Sequence, residues 1–199
     1  MEMKVRRLAV LASGSGTTLQ AIIDAIESKA LDADIVTVVS DKEDAFALAR
    51  AQKSGIHTHL LRATTADERD NELNEVLEQT APDLVVLAGY LKLIGPKVLS
   101  NFAVINTHPS LLPKYGGKGM HGMHVHQAVV NNNEKESGVT LHFVNEEYDR
   151  GQIIWQTHVP VYSSDTADDV SIRVQSAEKT QLVSILRAFS EGKIDIPNR

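Results

Sequence analysis

The chain has 199 residues, of which 42% are apolar and 23% charged, and a formal net charge of −6, values ordinary for a soluble globular protein. No apolar run is long enough to span a bilayer, and Ser13-Gly14-Ser15-Gly16 breaks the apolar stretch after the basic N-terminus, so the sequence predicts neither a membrane span nor a signal peptide. The lack of cysteine excludes disulfides and thiolate zinc sites, and the acidic balance argues against nucleic acid as the main partner. We therefore expect a cytoplasmic protein that forms one domain over residues 1–199 and acts on small molecules.

β-branched or continuous apolar runs indicate strands, and apolar residues at helical spacing indicate helices. The two kinds of segment alternate along this chain, which predicts an α/β fold. The predicted strands are 5–12, 35–39, 58–61, 84–87, 104–105, 138–144 and 153–159, and the predicted helices are 19–30, 45–53, 67–79, 123–131 and 166–190. This alternation favours a parallel sheet with right-handed connections between its strands. The last two strands are predicted to add a hairpin-like pair. The predicted architecture is a Rossmann-like, open, mostly parallel twisted sheet with helices on both faces and an antiparallel addition near the C-terminal end.

A glycine-rich turn joins the first strand to the first helix, a layout that binds phosphate on backbone N–H groups at a helix N-terminus. Thr17 stands where a Walker loop has lysine, and Leu19 stands where a dinucleotide fingerprint has its third glycine. A single terminal phosphate held by Gly16, Thr17 and Thr18 therefore fits better than a nucleoside triphosphate or a dinucleotide. The alternative is a plain strand-to-helix turn with Ser/Thr caps.

Residues 88–95 follow the fourth strand, at the end of the sheet where ligands of open α/β proteins bind. This small, partly apolar segment is suited to hold a flat ring against its backbone. The alternative is a simple entrance to a helix.

Asn106 and His108 follow the apolar pair Val104-Ile105, and Pro109, which has no N–H to donate, is expected to end the strand there. Side chains two positions apart leave the same face of an extended segment. An amide donor beside a titratable imidazole suits acyl transfer, in which an oxyanion develops and a proton moves near neutral pH. The alternative is that both side chains cap the following turn.

The string N-T-H-P-S-L-L-P at 106–113 resembles the folate-dependent formyltransferases, and the resemblance extends over most of the chain. It includes the loop at 13–18, the segment at 88–94 and the aspartate of a V-x-x-x-[LM]-D-x-G pattern, here Asp149. The resemblance implies transfer of the formyl group of 10-formyltetrahydrofolate to the amine of 5′-phosphoribosylglycinamide, a step of purine synthesis. It implies direct attack, with neither an acyl-enzyme nor a metal.

The resemblance also implies roles for individual residues. Asn106 and protonated His108 would stabilise the tetrahedral oxyanion, Asp149 would keep His108 protonated, and His142 would support the same network. The residues implied for phosphoribosylglycinamide are Gly16, Thr17, Thr18, Gln175 and Glu178, and those implied for the folate are Leu91, Lys92, Leu93, Ile94 and Asn106.

The chain departs from the family pattern at Thr18, at Lys92, in the residues after Glu178, and in the glycine-rich loop 115–122, which is longer than expected and suited to a mobile cover. Other acceptors, hydrolysis of formylfolate, and a non-catalytic phosphosugar- or folate-binding module are the alternative functions. Monomer and homodimer both remain open.

His121, His124 and His126 form a cluster that raises the question of a metal site. No acidic residue or cysteine completes an evident ligand set, so no metal is predicted, and these histidines are expected in a loop or at the surface.

Overall fold

A computed structural model describes residues 6–196 and contains one seven-stranded sheet in the order β3-β2-β1-β4-β5-β6-β7. The strands are β1 (Arg7–Leu11), β2 (Asp34–Ser40), β3 (Thr58–Leu60), β4 (Leu84–Leu87), β5 (Val104–His108), β6 (Glu136–Phe143) and β7 (Ile153–Pro160). The first five strands pair in parallel, whereas β6 and β7 pair antiparallel. The predicted mostly parallel sheet with an antiparallel addition is confirmed; Val5, which the prediction placed in the first strand, lies outside the described residues.

Helices cover both faces of the sheet, as predicted. They are α1 (Thr17–Glu27), α2 (Phe46–Lys53), α3 (Ala66–Thr80), α4 (Pro96–Asn101), α5 (Met123–Asn131) and α6 (Ala167–Ser190). Successive residues of β1 point to opposite faces, so Leu8 and Val10 enter the core beneath α1 and α6, whereas Ala9 and Leu11 enter the core beneath α3 and α4. Among the described residues, no helix is long and apolar enough to cross a membrane.

Helix α4 was not predicted, and its origin is a tertiary contact. The helix is six residues long and begins at Pro96, where Pro is favoured because its missing N–H needs no partner. The carboxylate of Asp70, on α3, accepts hydrogen bonds from the N–H groups of Lys97 at 2.8 Å and Val98 at 3.2 Å. A distant side chain therefore caps this helix, which local periodicity does not reveal.

Two boundaries position the functional side chains. Helix α1 begins at Thr17, two residues earlier than predicted, so Thr17 and Thr18 belong to its first turn. Strand β5 continues from its apolar pair to His108 and ends before Pro109, as expected from the missing proline N–H. Asn106 pairs with Leu87 of β4 on one side and with His142 of β6 on the other.

Candidate active site

A cavity of about 610 Å³ opens at the carboxyl ends of β1, β4 and β5. Every residue that the sequence predicted for the site lies in its wall. These residues are Gly16, Thr17, Thr18, Leu91, Lys92, Leu93, Ile94, Asn106, His108, His142, Asp149, Gln175 and Glu178. The loop from Gly117 to Gly122 contributes a further part of the wall. Folding therefore brings Gly16 and Glu178, which are 162 residues apart in the chain, into the wall of one cavity.

The glycine loop presents backbone donors at one end of the cavity. Gly16 is the N-cap of α1 with φ of 67°, and no side chain caps the helix, which argues against the plain Ser/Thr-capped turn. A Cβ at Gly16 would lie 2.7 Å from Cα of Ala47, so only glycine fits this close approach. The N–H groups of the first turn of α1 are thus available to an anion.

Glu178 on α6 links this loop to β5. Its carboxylate accepts a hydrogen bond from Thr107 Oγ1 at 2.5 Å. Burial raises the pKa of Glu178, and the Thr107 hydroxyl, the charge of Lys179 and the Thr18 hydroxyl oppose that rise. The neighbouring Gln175 donates from Nε2 to Ser171 Oγ at 2.9 Å. The cavity wall near the glycine loop therefore contains a carboxyl group that burial favours in its neutral form.

The apolar end of the cavity is formed by residues 88–95, which are not helical; α4 begins only at Pro96. Leu91 and Leu93 line the cavity with 42% and 43% of their surface exposed, whereas Ile94 is buried behind them. Two exposed leucines beside each other on a cavity wall suit a flat apolar ligand, which would cover them.

His108 is buried, and acceptors face both of its ring nitrogens. Nε2 lies 2.7 Å from the carbonyl oxygen of Tyr115, and Nδ1 lies 3.5 Å from Oδ1 of Asp149. Burial lowers the pKa of His108; the Asp149 carboxylate and the Tyr115 carbonyl oppose this effect, while the His142 ring adds to it. Asp149 thus acts in the predicted direction, but burial has the larger effect and the net pKa lies below the ordinary histidine value.

His142 is buried beside the same pair. Its Nδ1 lies 2.8 Å from the carbonyl oxygen of Phe143 and therefore carries a hydrogen, so that in the neutral ring Nε2 accepts from the amide nitrogen of Asn106 at 3.2 Å. Nε2 also lies 3.6 Å from Oδ1 of Asp149. Burial would raise the pKa of Asp149, but the His142 and His108 rings and the Gly117 N–H together hold it below its ordinary value.

The sequence did not reveal several groups of this site. The Tyr115 carbonyl and the Gly117 N–H, which donates to Asp149 Oδ2 at 2.8 Å, are main-chain groups that every residue carries. Thr107, which lies between the two predicted catalytic residues in the sequence, was not predicted as a site residue, although its hydroxyl donates to Glu178.

The histidine cluster divides into exposed and buried members. His121 and His124 are exposed as expected, but His126 is buried in the cavity wall, and its Nδ1 has no hydrogen-bond partner. The expectation of a loop or surface position is therefore wrong for His126, because α5 turns this position inward beside Val125 and Val129. In the stretch 6–196, no group of three or more His, Asp or Glu side chains is arranged to hold a metal ion.

Comparison with known proteins matches this chain to formyl transferases at the level of the family and of individual relatives. Residues 6–186 match the family model for formyl transferases. The chain is 41% identical over 192 residues to a phosphoribosylglycinamide formyltransferase of Escherichia coli K12, covering 94% of this chain and 88% of that protein. It is 39% identical over 195 residues to the Haemophilus influenzae protein of the same name, with coverages of 96% and 90%.

Solved structures agree with the sequence relatives. Glycinamide ribonucleotide transformylase 1 from Symbiobacterium toebii superposes with a TM-score of 0.89 at 34% identity, covering 98% of this chain and 92% of that one. The phosphoribosylglycinamide formyltransferase of Coxiella burnetii, solved in complex with CHES, gives the same TM-score of 0.89 at 34% identity, with coverages of 98% and 92%.

Proposed function

This chain belongs to the formyl transferase family, and on that premise we propose that it transfers the formyl group of 10-formyltetrahydrofolate to the amine of 5′-phosphoribosylglycinamide in purine biosynthesis. One observation supports the proposal: a single cavity is lined by the glycine loop at the N-terminus of α1, by the partly exposed leucines Leu91 and Leu93, and by the group of Asn106, His108 and Asp149. A phosphorylated acceptor and a flat donor would therefore meet at the imidazole.

The acceptor would place its phosphate at the N-terminus of α1, on the N–H groups of Gly16, Thr17 and Thr18. Gly16 lies so close to Ala47 that a side chain there would clash, and a loop of this kind binds phosphate through its main-chain N–H groups. Glu178 and Gln175 would bind the sugar or the amide of the acceptor, because their side chains lie in the adjoining wall.

The donor would place its pterin ring against residues 91–94. Leu91, Leu93 and Ile94 supply apolar surface, and Lys92 supplies a cation beside it, which suits a ligand with an aromatic ring and carboxylates. The fit follows from the chemistry of this wall: an apolar ring would cover leucines that are otherwise partly exposed.

In the reaction, the acceptor amine attacks the formyl carbon, a C–N bond forms, and negative charge develops on the formyl oxygen. The Asn106 amide and protonated His108 would donate hydrogen bonds to that oxygen; one donor of this kind is typically worth about 3 kcal/mol. The bond from the formyl carbon to N10 of the folate then breaks. The proton lost by the amine would reach the leaving nitrogen through His108 or water.

The contacts of His108 suit a group that both holds and releases a proton. Nε2 is engaged by the Tyr115 carbonyl, whereas the 3.5 Å contact of Nδ1 with Asp149 is longer than a direct charge-assisted hydrogen bond. A protonated Nδ1 would therefore be the donor toward the formyl oxygen. Burial nevertheless lowers the pKa of His108, which favours the neutral form that would receive the proton of the amine. Asp149 opposes this effect of burial and would favour the protonated donor.

A spectroscopic formyl-transfer assay tests the proposal. The full-length protein is mixed with 10-formyl-5,8-dideazafolate and phosphoribosylglycinamide, and the absorbance of the deformylated folate is followed. A signal that requires both substrates supports the proposed function. A signal with folate alone would indicate hydrolysis, and binding of both ligands without a signal would indicate a binding module or another acceptor.

A further inference from the structure

We propose that a cluster outside the cavity, formed by Tyr115, Asn132 and Glu134, positions the imidazole of His108 through the main chain of residues 115–117. This inference rests on the proposed function, because it assigns positioning residues to the side chain that would stabilise the oxyanion. None of these three side chains lies in the wall of the cavity. They would therefore act through the main chain and not on the substrate.

The turn at 115–117 holds both members of the His108–Asp149 pair. The Tyr115 carbonyl accepts a hydrogen bond from Nε2 of His108 at 2.7 Å, and the Gly117 N–H donates to Oδ2 of Asp149 at 2.8 Å. The two side chains approach each other at 3.5 Å, which is longer than a direct charge-assisted hydrogen bond. Main-chain atoms two residues apart thus set the separation of the pair.

The backbone of this turn has a conformation that needs support from its surroundings. Tyr115 has φ of 55° and Gly117 has φ of 100°, and a non-glycine residue rarely adopts a positive φ. A Cβ on Gly116 would lie 2.5 Å from Cδ2 of Leu112 and 3.2 Å from Cβ of Asp149. The turn therefore packs directly behind the carboxylate, and a shift of the turn would move Asp149 as well as the Tyr115 carbonyl.

The side chain of Tyr115, which is half-buried and packs against the core, supplies that support. Its hydroxyl donates to Oε1 of Glu134 at 2.9 Å and accepts from Nδ2 of Asn132 at 3.0 Å. Lys114 Nζ lies 3.1 Å from Oε1 of the same glutamate. Glu134 is itself fixed to the end of α5, because its N–H donates to the carbonyl of Val129 at 3.2 Å. The turn is thus tied to a helix whose core side is buried.

This arrangement determines which ring nitrogen of His108 gains and loses a proton. A carbonyl oxygen only accepts, so the Tyr115 contact keeps the hydrogen on Nε2 in both protonation states. Nδ1 is then the atom that gains or loses a proton, beside Asp149. Besides Asp149, the titratable groups that face His108 are the rings of His142 and His126.

The test compares Tyr115→Phe and Glu134→Ala with the conservative variant Glu134→Gln, which keeps an acceptor for the tyrosine hydroxyl. Glu136→Ala is the matched control, because Glu136 is an exposed glutamate nearby that contacts His158. Steady-state constants and the pH dependence of kcat are measured in the full-length proteins, together with the ¹⁵N spectrum of the His108 ring.

We expect Tyr115→Phe and Glu134→Ala each to lower kcat about tenfold. This loss is smaller than the roughly hundredfold loss of rate that a catalytic group displaced by about 1 Å causes. KM for both substrates should stay within about twofold of the parent value, because no contact with substrate is removed. The pH-dependent limb of kcat moves to lower pH, because the Tyr115 carbonyl raises the pKa of His108. Glu134→Gln recovers most of kcat, and Glu136→Ala matches the parent protein.

Unchanged kcat, pH limb and ¹⁵N spectrum in both Tyr115→Phe and Glu134→Ala would overturn the inference while leaving the proposed function intact. Near-normal turnover of His108→Ala would instead remove the catalytic role on which it rests. A fall in kcat with an unshifted pH limb and no recovery in Glu134→Gln would indicate a purely structural role and would also overturn it. Thermal melting of each variant identifies one that fails to fold, in which case the remaining variant decides.

Discussion

The amide nitrogen of Asn106 lies 3.2 Å from Nε2 of His142, directly across the pairing of β5 with β6. Because Nδ1 of His142 donates to the Phe143 carbonyl at 2.8 Å, the neutral form of this ring has its hydrogen on Nδ1 and accepts at Nε2. The neighbouring strand therefore orients the amide before any substrate binds. Such preorganisation is what stabilisation of a developing oxyanion requires.

Removing either proposed oxyanion donor should abolish most turnover. We expect Asn106→Ala and His108→Ala each to lower kcat by about a hundredfold or more while the proteins remain folded. The formyl-transfer assay measures the loss, with His124→Gln as control, because His124 is exposed on α5 and lies outside the cavity wall. Near-normal kcat in either alanine variant would exclude that residue from the mechanism.

Replacing Asp149 by asparagine should shift the pH dependence of kcat. The carboxylate raises the pKa of His108 against the larger effect of burial, so its loss lowers that pKa further. If protonated His108 is the donor, activity falls as pH rises through its pKa, and in Asp149→Asn this fall occurs at lower pH. Asparagine keeps an acceptor for the Gly117 N–H. An unshifted limb in the pH profile would contradict the assigned role.

Gly16→Ala should weaken binding of the phosphorylated substrate. The new Cβ meets Cα of Ala47 at 2.7 Å and the backbone has φ of 67°, so the loop has to move. We expect KM for phosphoribosylglycinamide to rise about tenfold or more, corresponding to about 1.4 kcal/mol, with a smaller change in KM for the folate. Gly14→Ala is the control for folding stability, since a Cβ there has nothing within 4 Å. Equal changes in both KM values would argue against a phosphate site at the loop.

The buried histidines should make the fold less stable in mild acid. Burial lowers the pKa of His108 and of His126, so below about pH 6.5, the unfolded value, the unfolded chain binds protons that the folded chain does not. The free energy of unfolding therefore falls as pH decreases, by up to about 1.4 kcal/mol per pH unit for each such group. Urea unfolding at pH 7.5 and 5.5 measures this, and His126→Gln should show a smaller difference than the parent protein. An equal difference in both proteins would mean that His126 does not contribute.

The sequence by itself determined the strands and most helices, because these depend on local signals. The helix predicted over 123–131 has the observed bounds of α5, and Pro109 ended β5 where its missing N–H requires. The glycine turn before α1 and the Asn106–His108 pair are likewise recognisable from residues that are adjacent in the sequence. The parallel order of the strands then brought these segments to one edge of the sheet.

Tertiary structure alone decided the contacts between distant parts of the chain. Helix α4 depends on the Asp70 carboxylate of α3. The second partner of His108 is the Tyr115 carbonyl, a group that no side-chain pattern identifies. The net direction of the pKa of His108 also follows from burial, since the carboxylate alone predicts the opposite direction. Burial and main-chain contacts arise from packing, so residue identity fixes the chemistry available at this site, whereas the fold fixes the balance among its charges.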